Sequence, residues 1–454
     1  MVEKKPISIP PYYFGILGGS GIILLIIIGL LSGWFKPKLT PLSSANISTE
    51  TPTIETFSGD SESAGANQNS TNIQTEKNSI DPNIICSSDE YGCAVFKKGD
   101  VIKIGMGAPM TGGNAIYGID ISRGASIAIA DVGDIYGWPL TLDAQDDGGT
   151  DEGGAAVANK FVTDPAIVAV AGHIFSGPTA AVIPIYEKAG IPMLSPSATN
   201  PALTTTGSKV FNRIAFTDLN QGNNAADYLY NTLGAKKLAV LHDGSDYGKG
   251  LAEIVAARFV KVGGEIAYEL AITPGWSDYA AQLFTIASTS PDAIFFGGFI
   301  AEGAVLVNQM KATGLENATF FGCDGIYDKD FLTRTGVNGE GTYSAIAPAS
   351  PVSIAKDTFN AAFLNQFGVE AGSTSPYTWA GYDSVAALAT AIKQAAFVSG
   401  DTLYIPRGAL VTAVRTLTDY VGLSGTFTCQ SNGECNTDKP QFVVVKDGQW
   451  VNVY

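Results

Sequence analysis

The chain has 454 residues, with 27 Lys and Arg against 43 Asp and Glu, for a formal charge of −16. That balance excludes the basic face that nucleic acid requires, and two histidines exclude a histidine-rich metal site. Charged residues make up only 15% and glycines number 52, which suits a loop-rich α/β protein of two or three domains better than a coiled coil or a disordered chain.

Residues 1–11 form a short segment carrying Lys4 and Lys5. Residues 12–35 are uncharged and mostly apolar around GIILLIIIGLL, and a bilayer span takes about 20 helical residues. Tyr12, Tyr13 and Trp34 sit near the ends, as interfacial aromatics do. The stretch reads as a transmembrane anchor or a signal peptide. No small-x-small cleavage site and no lipid-accepting Cys follows it, which favours the anchor. From 36 to about 85 the chain is rich in Ser, Thr, Asn and Glu and poor in large apolar residues, so it cannot bury a core. A disordered tether is expected over 36–97.

Five cysteines occur, without a C-x-x-C zinc pattern. Cys86 with Cys93 and Cys429 with Cys435 each bracket a short polar loop, and in an exported chain each pair reads as a local disulfide, leaving Cys323 over.

From Val101 onward, apolar runs of strand length alternate with helical stretches: VIKIGMGA, a helix over 118–132, PLTLDAQ, a helix over 153–162, IVAVAG, a helix, IPMLS. This rhythm predicts a parallel sheet covered on both faces. A crossing point is expected near Phe216. A second series follows: a helix from Gln221, KLAVLHD, a helix over 247–262, EIAYELAI, a helix from Tyr279, AIFFGG, a helix over 301–311, TFFGCDG. Helices over 353–367 and 379–397 and the strand-like FTC and QFVVVKDG close the chain. The fold class is α/β, with two doubly wound Rossmann-like units and a cleft between them.

The stretch AVAGHIFSGPTAAVIPIYEKAGIPMLSPSAT, residues 169–199, reads strand, loop, helix, strand, loop. In an open parallel sheet both loops lie at carboxyl ends of strands, where ligands bind. Each loop offers a hydroxyl, Ser176 and Thr199, at a place where a helix can begin and its free N–H groups favour an anion. Ser, Gly, Pro and Thr are also ordinary turn and cap residues. In the second unit Tyr247, Phe299 and Asp324 stand at strand ends. With the two units face to face, Asp324 would take an ammonium while Ser176 and Thr199 take a carboxylate, the two ends of a zwitterion. Asp324 could equally cap a following helix, and Tyr117, Tyr247 and Phe299 could be half-buried packing. Asp143, Asp146 and Asp147 cluster at a strand end and read as turn and cap residues more readily than as a cation site. There is no G-x-S-x-G elbow, no P-loop and no H-E-x-x-H, and Met110 occupies the third glycine position of a dinucleotide fingerprint. The chain therefore reads as a binding protein without a cofactor rather than an enzyme.

GHIFSGPTAAVIPIYEKAGIPMLSPSATNPALT, VIKIGMGAPMTGGNAIYG, AVLHDGSDYGKGLA and the FFGG and FFGCDG strand ends together resemble the type I substrate-binding proteins of branched-chain amino acid ABC transporters, from Val101 to the C-terminus. The resemblance implies two lobes joined by a three-stranded hinge (periplasmic binding protein type I), with crossings near Phe216, Thr342 and Ser424. It gives a first lobe of 98–216 and 343–424 and a second of 217–342 and 425–454, the Cys429–Cys435 loop decorating the second. It implies that Ser176 and Thr199 grip a ligand carboxylate, that the Ser197 carbonyl accepts from the ammonium beside Ala198, and that Tyr117, Phe175, Tyr247, Phe299 and Asp324 line the site. Asp324 stands where leucine-type binders often have Glu, Phe299 where they often have Tyr, and Phe175 where some members have a disulfide Cys. The implied function is an extracytoplasmic receptor, membrane-anchored at the cell surface or in the periplasm. It would pass a neutral amino acid to permease subunits with a cytoplasmic ATPase. A sensing domain of the same fold and a binder of urea or short amides are the alternatives.

Overall fold

The computed structural model describes residues 81–348, 352–436 and 438–453. The anchor expected over 12–35 and most of the expected tether lie outside them. Among the described residues no helix is long and apolar enough to cross a membrane.

The first sheet has six strands in the order Asp134–Ile135, Trp138–Asp146, Ile102–Ala108, Ile167–Val170, Met193–Ser195, Phe211–Arg213, all parallel except the first. Ile167–Val170 is buried at every position, as befits a strand covered on both faces. One face packs Ile104, Met106 and Leu194 against Val385, Leu388 and Ile392 of the helix Thr378–Ala395. The other packs Ile167, Val170 and Met193 against Phe161, Val182 and Tyr186.

The second sheet has seven strands, in the order Gln449–Val453, Gln441–Lys446, Tyr343–Ile346, Thr319–Gly322, Ala293–Gly297, Lys237–His242, Glu265–Ala271. The last five are parallel, and the C-terminal hairpin joins antiparallel through Tyr343 opposite Val444. Phe295, Phe296 and Phe321 are wholly buried in its core. In both sheets the strand order reverses around the first strand of the series, at Ile102–Ala108 and at Lys237–His242. Such switch points open crevices at the carboxyl ends of the strands. The helices expected over 153–162 and 247–262 are found as Asp151–Thr163 and Asp246–Lys261.

Three expectations are corrected, and two elements were not foreseen. The tether does not run to 97. A helix at Pro82–Ser88 leads through the Cys86–Cys93 disulfide into the strand Cys93–Lys97, which pairs antiparallel with Thr402–Pro406 and buries Ala94 and Phe96 in the first core. The chain does not leave the second sheet near Thr342, because Tyr343–Ile346 is itself a strand of that sheet. The strand Thr402–Pro406 and the helix Arg407–Arg415 carry no expected counterpart.

The third correction concerns the second disulfide loop, Cys429–Cys435, which sits on the first sheet and not on the second. Its backbone brackets Arg213, with Arg213 N–H donating to Gly433 O at 3.0 Å and Cys435 N–H donating to Arg213 O at 2.9 Å. The reason is charge. The Arg213 side chain is fully buried, and Glu434 of this loop meets it with both oxygens, at 2.9 Å from Nε and 2.5 Å from Nη2. Removing one member of such a pair strands a buried charge. Glu434→Ala should therefore lower stability by about 3–5 kcal/mol, read as thermal unfolding of the purified protein; a loss below about 1 kcal/mol would contradict this assignment.

Candidate functional site

The strand ends of the first sheet place three loops side by side. After Ile167–Val170 the chain turns through Gly172 to His173, wholly buried with Nδ1 2.8 Å from Asp147 Oδ2 and Nε2 3.1 Å from the Tyr186 hydroxyl. Gly107 of the neighbouring strand makes room for that ring, since a Cβ there would lie 2.1 Å from it. The Ser195 hydroxyl donates to His173 O at 2.6 Å and the Ser197 hydroxyl to Ile174 O at 2.8 Å, stitching the second loop to the first.

Ser176 then opens the helix Ser176–Ala189, with Pro178 in the first turn, where a missing N–H costs nothing, and Gly190 closing it at φ 62°. Ser176 and Thr199 are both buried. The Ser176 hydroxyl accepts from Asn200 N–H at 3.3 Å. Arg213 donates to the carbonyls on either side of Thr199, Ala198 O at 3.1 Å and Asn200 O at 2.7 Å. The Cys429–Cys435 loop thus reaches the site through Glu434 and Arg213.

The second sheet supplies the acid. Asp324 follows Thr319–Gly322 in a short 3-10 turn, Asp324–Ile326, and is 5% exposed. Its Oδ1 accepts from the Tyr247 hydroxyl at 2.5 Å and from Gln221 Nε2 at 2.6 Å, and its Oδ2 accepts from the Tyr377 hydroxyl at 2.7 Å. Gln221 Oε1 in turn accepts from Asp324 N–H at 2.9 Å. Burial raises the Asp324 carboxyl, and the three side-chain donors oppose that rise. Burial holds the Tyr117, Tyr247 and Tyr377 hydroxyls well above their ordinary range, so all three remain donors. The remaining cysteine, Cys323, is buried and unbridged, its thiol pushed up to about 12 by burial, and it donates to Gly298 O at 3.1 Å.

Aromatic side chains close the cleft. Phe175 and Phe299 stack with centroids 4.5 Å apart, Tyr117 meets both edge-on at 5.9 Å, and Tyr247 lies 5.4 Å from Phe299. The Tyr117 hydroxyl donates to Gly325 O, joining the first lobe to the second. Beneath this cover is a cavity of about 30 Å³. Of the residues expected at the site, Tyr117, Phe175, Ser176, Ser197, Thr199, Tyr247, Phe299 and Asp324 line it. Ala198 does not, its carbonyl being given to Arg213. Tyr377, Ile121 and Ile174 line it unforeseen. Gln221 is a further unforeseen member through its bonds to Asp324. Asp143, Asp146 and Asp147 form no common site: Asp146 accepts from Met110 N–H at 2.8 Å and the Thr111 hydroxyl at 2.6 Å, Asp147 holds His173, and Asp143 accepts from Gln145.

With this geometry in place, the protein is a two-lobed α/β binding protein whose cleft is lined from both sheets. The periplasmic binding protein family model matches residues 101–449, and the chain belongs to that family. An amino acid binding protein of Pseudomonas aeruginosa is 37% identical over 253 residues, 55% of this chain and 67% of that protein. The leucine-specific-binding protein of Salmonella typhimurium is 33% identical over 301 residues, 65% of this chain and 80% of that protein. Among solved structures, the leucine-binding protein LivK of Thermotoga maritima aligns with a TM-score of 0.71 at 26% identity, covering 78% of this chain and 98% of that one.

One helical turn beyond Tyr117, and three residues beyond Gly325, two further acids are buried beside the contact between lobes. Asp120 is wholly buried; its Oδ2 accepts from the Thr378 hydroxyl at 2.5 Å and its Oδ1 has no hydrogen-bond partner. Asp328 is 1% exposed and its Oδ2 likewise lacks a partner. Burial pushes each up to about 7, Arg123 opposing this for Asp120, while the charges of Asp330 and Asp120 add to it for Asp328. For Asp120 the folded value lies above the ordinary 3.8. The stability of the neutral form is therefore complete below about pH 4 and is lost as pH rises through 7. Asp120→Asn should raise the melting temperature at pH 8, recovering up to about 4 kcal/mol, and leave it nearly unchanged at pH 4. Equal shifts at both pH values in a thermal-unfolding series would contradict this.

Proposed function

We propose that this protein is the extracytoplasmic solute receptor of an ABC importer and captures a free neutral amino acid between its two lobes. The observation that carries the reading is the pairing of unlike half-sites across one small cavity. On one side Ser176 begins a 14-residue helix beside the Thr199 hydroxyl, a setting that favours a carboxylate. On the other, Asp324 offers a buried acid to an ammonium. Phe175, Phe299 and Tyr117 form the wall between, and among the described residues no cationic side chain lines the cavity to take a second acid. The names of the relatives direct the side chain toward the branched-chain class. A ligand that bridges the half-sites favours the closed state by its difference in affinity for the two states. The closed surface would then be what permease subunits recognise, with their ATPase on the far side of the membrane. Residues 12–35 would hold the receptor near them as a membrane anchor.

The cavity itself favours a second reading. The cavity is small, about 30 Å³. The Phe175–Phe299 stack, with centroids 4.5 Å apart and Tyr117 edge-on to both rings, crowds it. That crowding favours a small solute such as alanine, glycine or a short amide over leucine.

Titrating the purified protein with the twenty amino acids, urea and short amides, by thermal shift and then calorimetry, separates the readings. A strong response to leucine, isoleucine or valine supports the first, and a response only to alanine, glycine or amides supports the second. Silence throughout contradicts both. Asp324→Asn should weaken the best amino acid by about 2–5 kcal/mol, the cost of truncating one partner of a buried charge pair; unchanged affinity would remove Asp324 from the site.

A further inference from the structure

Behind the cavity wall lies a second acid that sequence reasoning did not single out. After the strand Phe211–Arg213 the chain crosses at Phe216, Thr217 caps the next helix, and Asp218 is the first residue of that helix, Asp218–Asp227. Asp218 N–H donates to Thr199 O at 3.0 Å, tying the start of the helix to the carboxylate half-site. The Asp218 side chain is wholly buried. Its Oδ1 accepts from Gln221 Nε2 at 3.3 Å, and this same amide nitrogen reaches Asp324 Oδ1 at 2.6 Å. Its Oδ2 has no hydrogen-bond partner, although the Thr199 hydroxyl is near enough to steady the charged form. Two buried carboxylates therefore share one donor nitrogen.

Among the described residues no uncommitted cation neutralises them. Arg213 is the cation whose charge reaches Asp218, and it is already committed to Glu434 and to two backbone carbonyls. Burial, with the Asp324 charge added, holds the Asp218 carboxyl well above the usual range. Two acids in such a place cannot both ionise without a compensating cation. The cation the cleft can receive is the ammonium of a solute.

We propose that Asp218 is the second acid of the ammonium half-site: a positioning residue behind Thr199 and Gln221 whose charge, added to that of Asp324, makes the cleft select solutes bearing a primary ammonium over isosteres bearing a hydroxyl. This rests on the amino acid reading of the same cleft. An acid in the first turn of a helix is also an ordinary partner of the helix dipole. The test therefore reads charge selection and not stability.

The probes are two pairs with matched skeletons, L-leucine with L-2-hydroxy-4-methylpentanoate and L-alanine with L-lactate, measured by calorimetry on the full chain at pH 8. The unaltered protein should prefer the amine of at least one pair by about a hundredfold or more. In Asp218→Asn that preference should fall at least about tenfold, through weaker amine binding with hydroxy acid binding unchanged or tighter. An equal loss for both members of a pair would mark a purely structural role and overturn the proposal, as would no change in either. Asp324→Asn supplies a reading that leaves Asp218 untouched. With Asp218 still present it should keep about a tenfold preference for the amine, and complete loss there would also overturn the proposal. If the unaltered protein binds neither amine nor any other of the twenty amino acids, the amino acid reading fails and this inference falls with it. If it binds an amine whose preference ignores Asp218, this inference alone fails.

Discussion

A buried carboxylate sets the terms for the cleft. Asp324 is almost wholly removed from water, and a charge in that position is tolerated only with hydrogen-bond donors on its oxygens. Those donors come from three separate places. Tyr247 stands on a helix of the second lobe, Gln221 on the helix just after the first crossing, and Tyr377 immediately before a helix packed against the first sheet. The acid is thereby tied to both lobes at once. Opening the cleft between them costs the Tyr377 bond and the Tyr117 bond to Gly325.

The two lobes reach this point by the same route. Each sheet reverses strand order around its first strand, and each puts its loops at the carboxyl ends on either side of that reversal. The first lobe spends considerable buried polar structure on holding its loops still. His173 is fixed between Asp147 and Tyr186, Ser195 and Ser197 bond the adjoining loop, and Arg213 grips both carbonyls around Thr199. Such networks are costly when incomplete and rigid when complete. The effect is a preorganised, hydroxyl-bearing side at Ser176 and Thr199 facing an acid carried on the other lobe. Aromatic rings complete the cover, with Phe175 stacked on Phe299 from opposite lobes. Where some relatives are expected to carry a disulfide Cys, this chain uses the ring of Phe175 to fill the mouth.

The sequence made the local features of this arrangement legible. Runs such as IVAV and AIFF announce fully covered strands, and the small polar residues after them mark the loops, so Ser176, Thr199, Tyr247, Phe299 and Asp324 could be picked out by position alone. Both disulfides were legible from their short spacing. Long-range partners were not. Tyr377 lies 53 positions from the acid it bonds and Gln221 lies 103 positions away, with nothing in either neighbourhood to suggest a site. The strand Cys93–Lys97 was hidden for the same reason, its partner lying at Thr402–Pro406. The second disulfide loop was placed on the wrong lobe because its position is decided by a buried guanidinium at Arg213, and burial of one arginine leaves no periodic trace. Ala198 was expected at the wall, yet its carbonyl serves Arg213 instead.

The central claim is that a solute bridging the two half-sites holds the lobes together. Small-angle X-ray scattering of the purified protein, with and without saturating amounts of its strongest amino acid stabiliser, tests it most directly. The account predicts a smaller radius of gyration with the amino acid bound, and loss of that compaction when Asp324 is replaced by Asn at the same ligand concentration. A scattering profile unchanged by a ligand shown calorimetrically to be bound would contradict it.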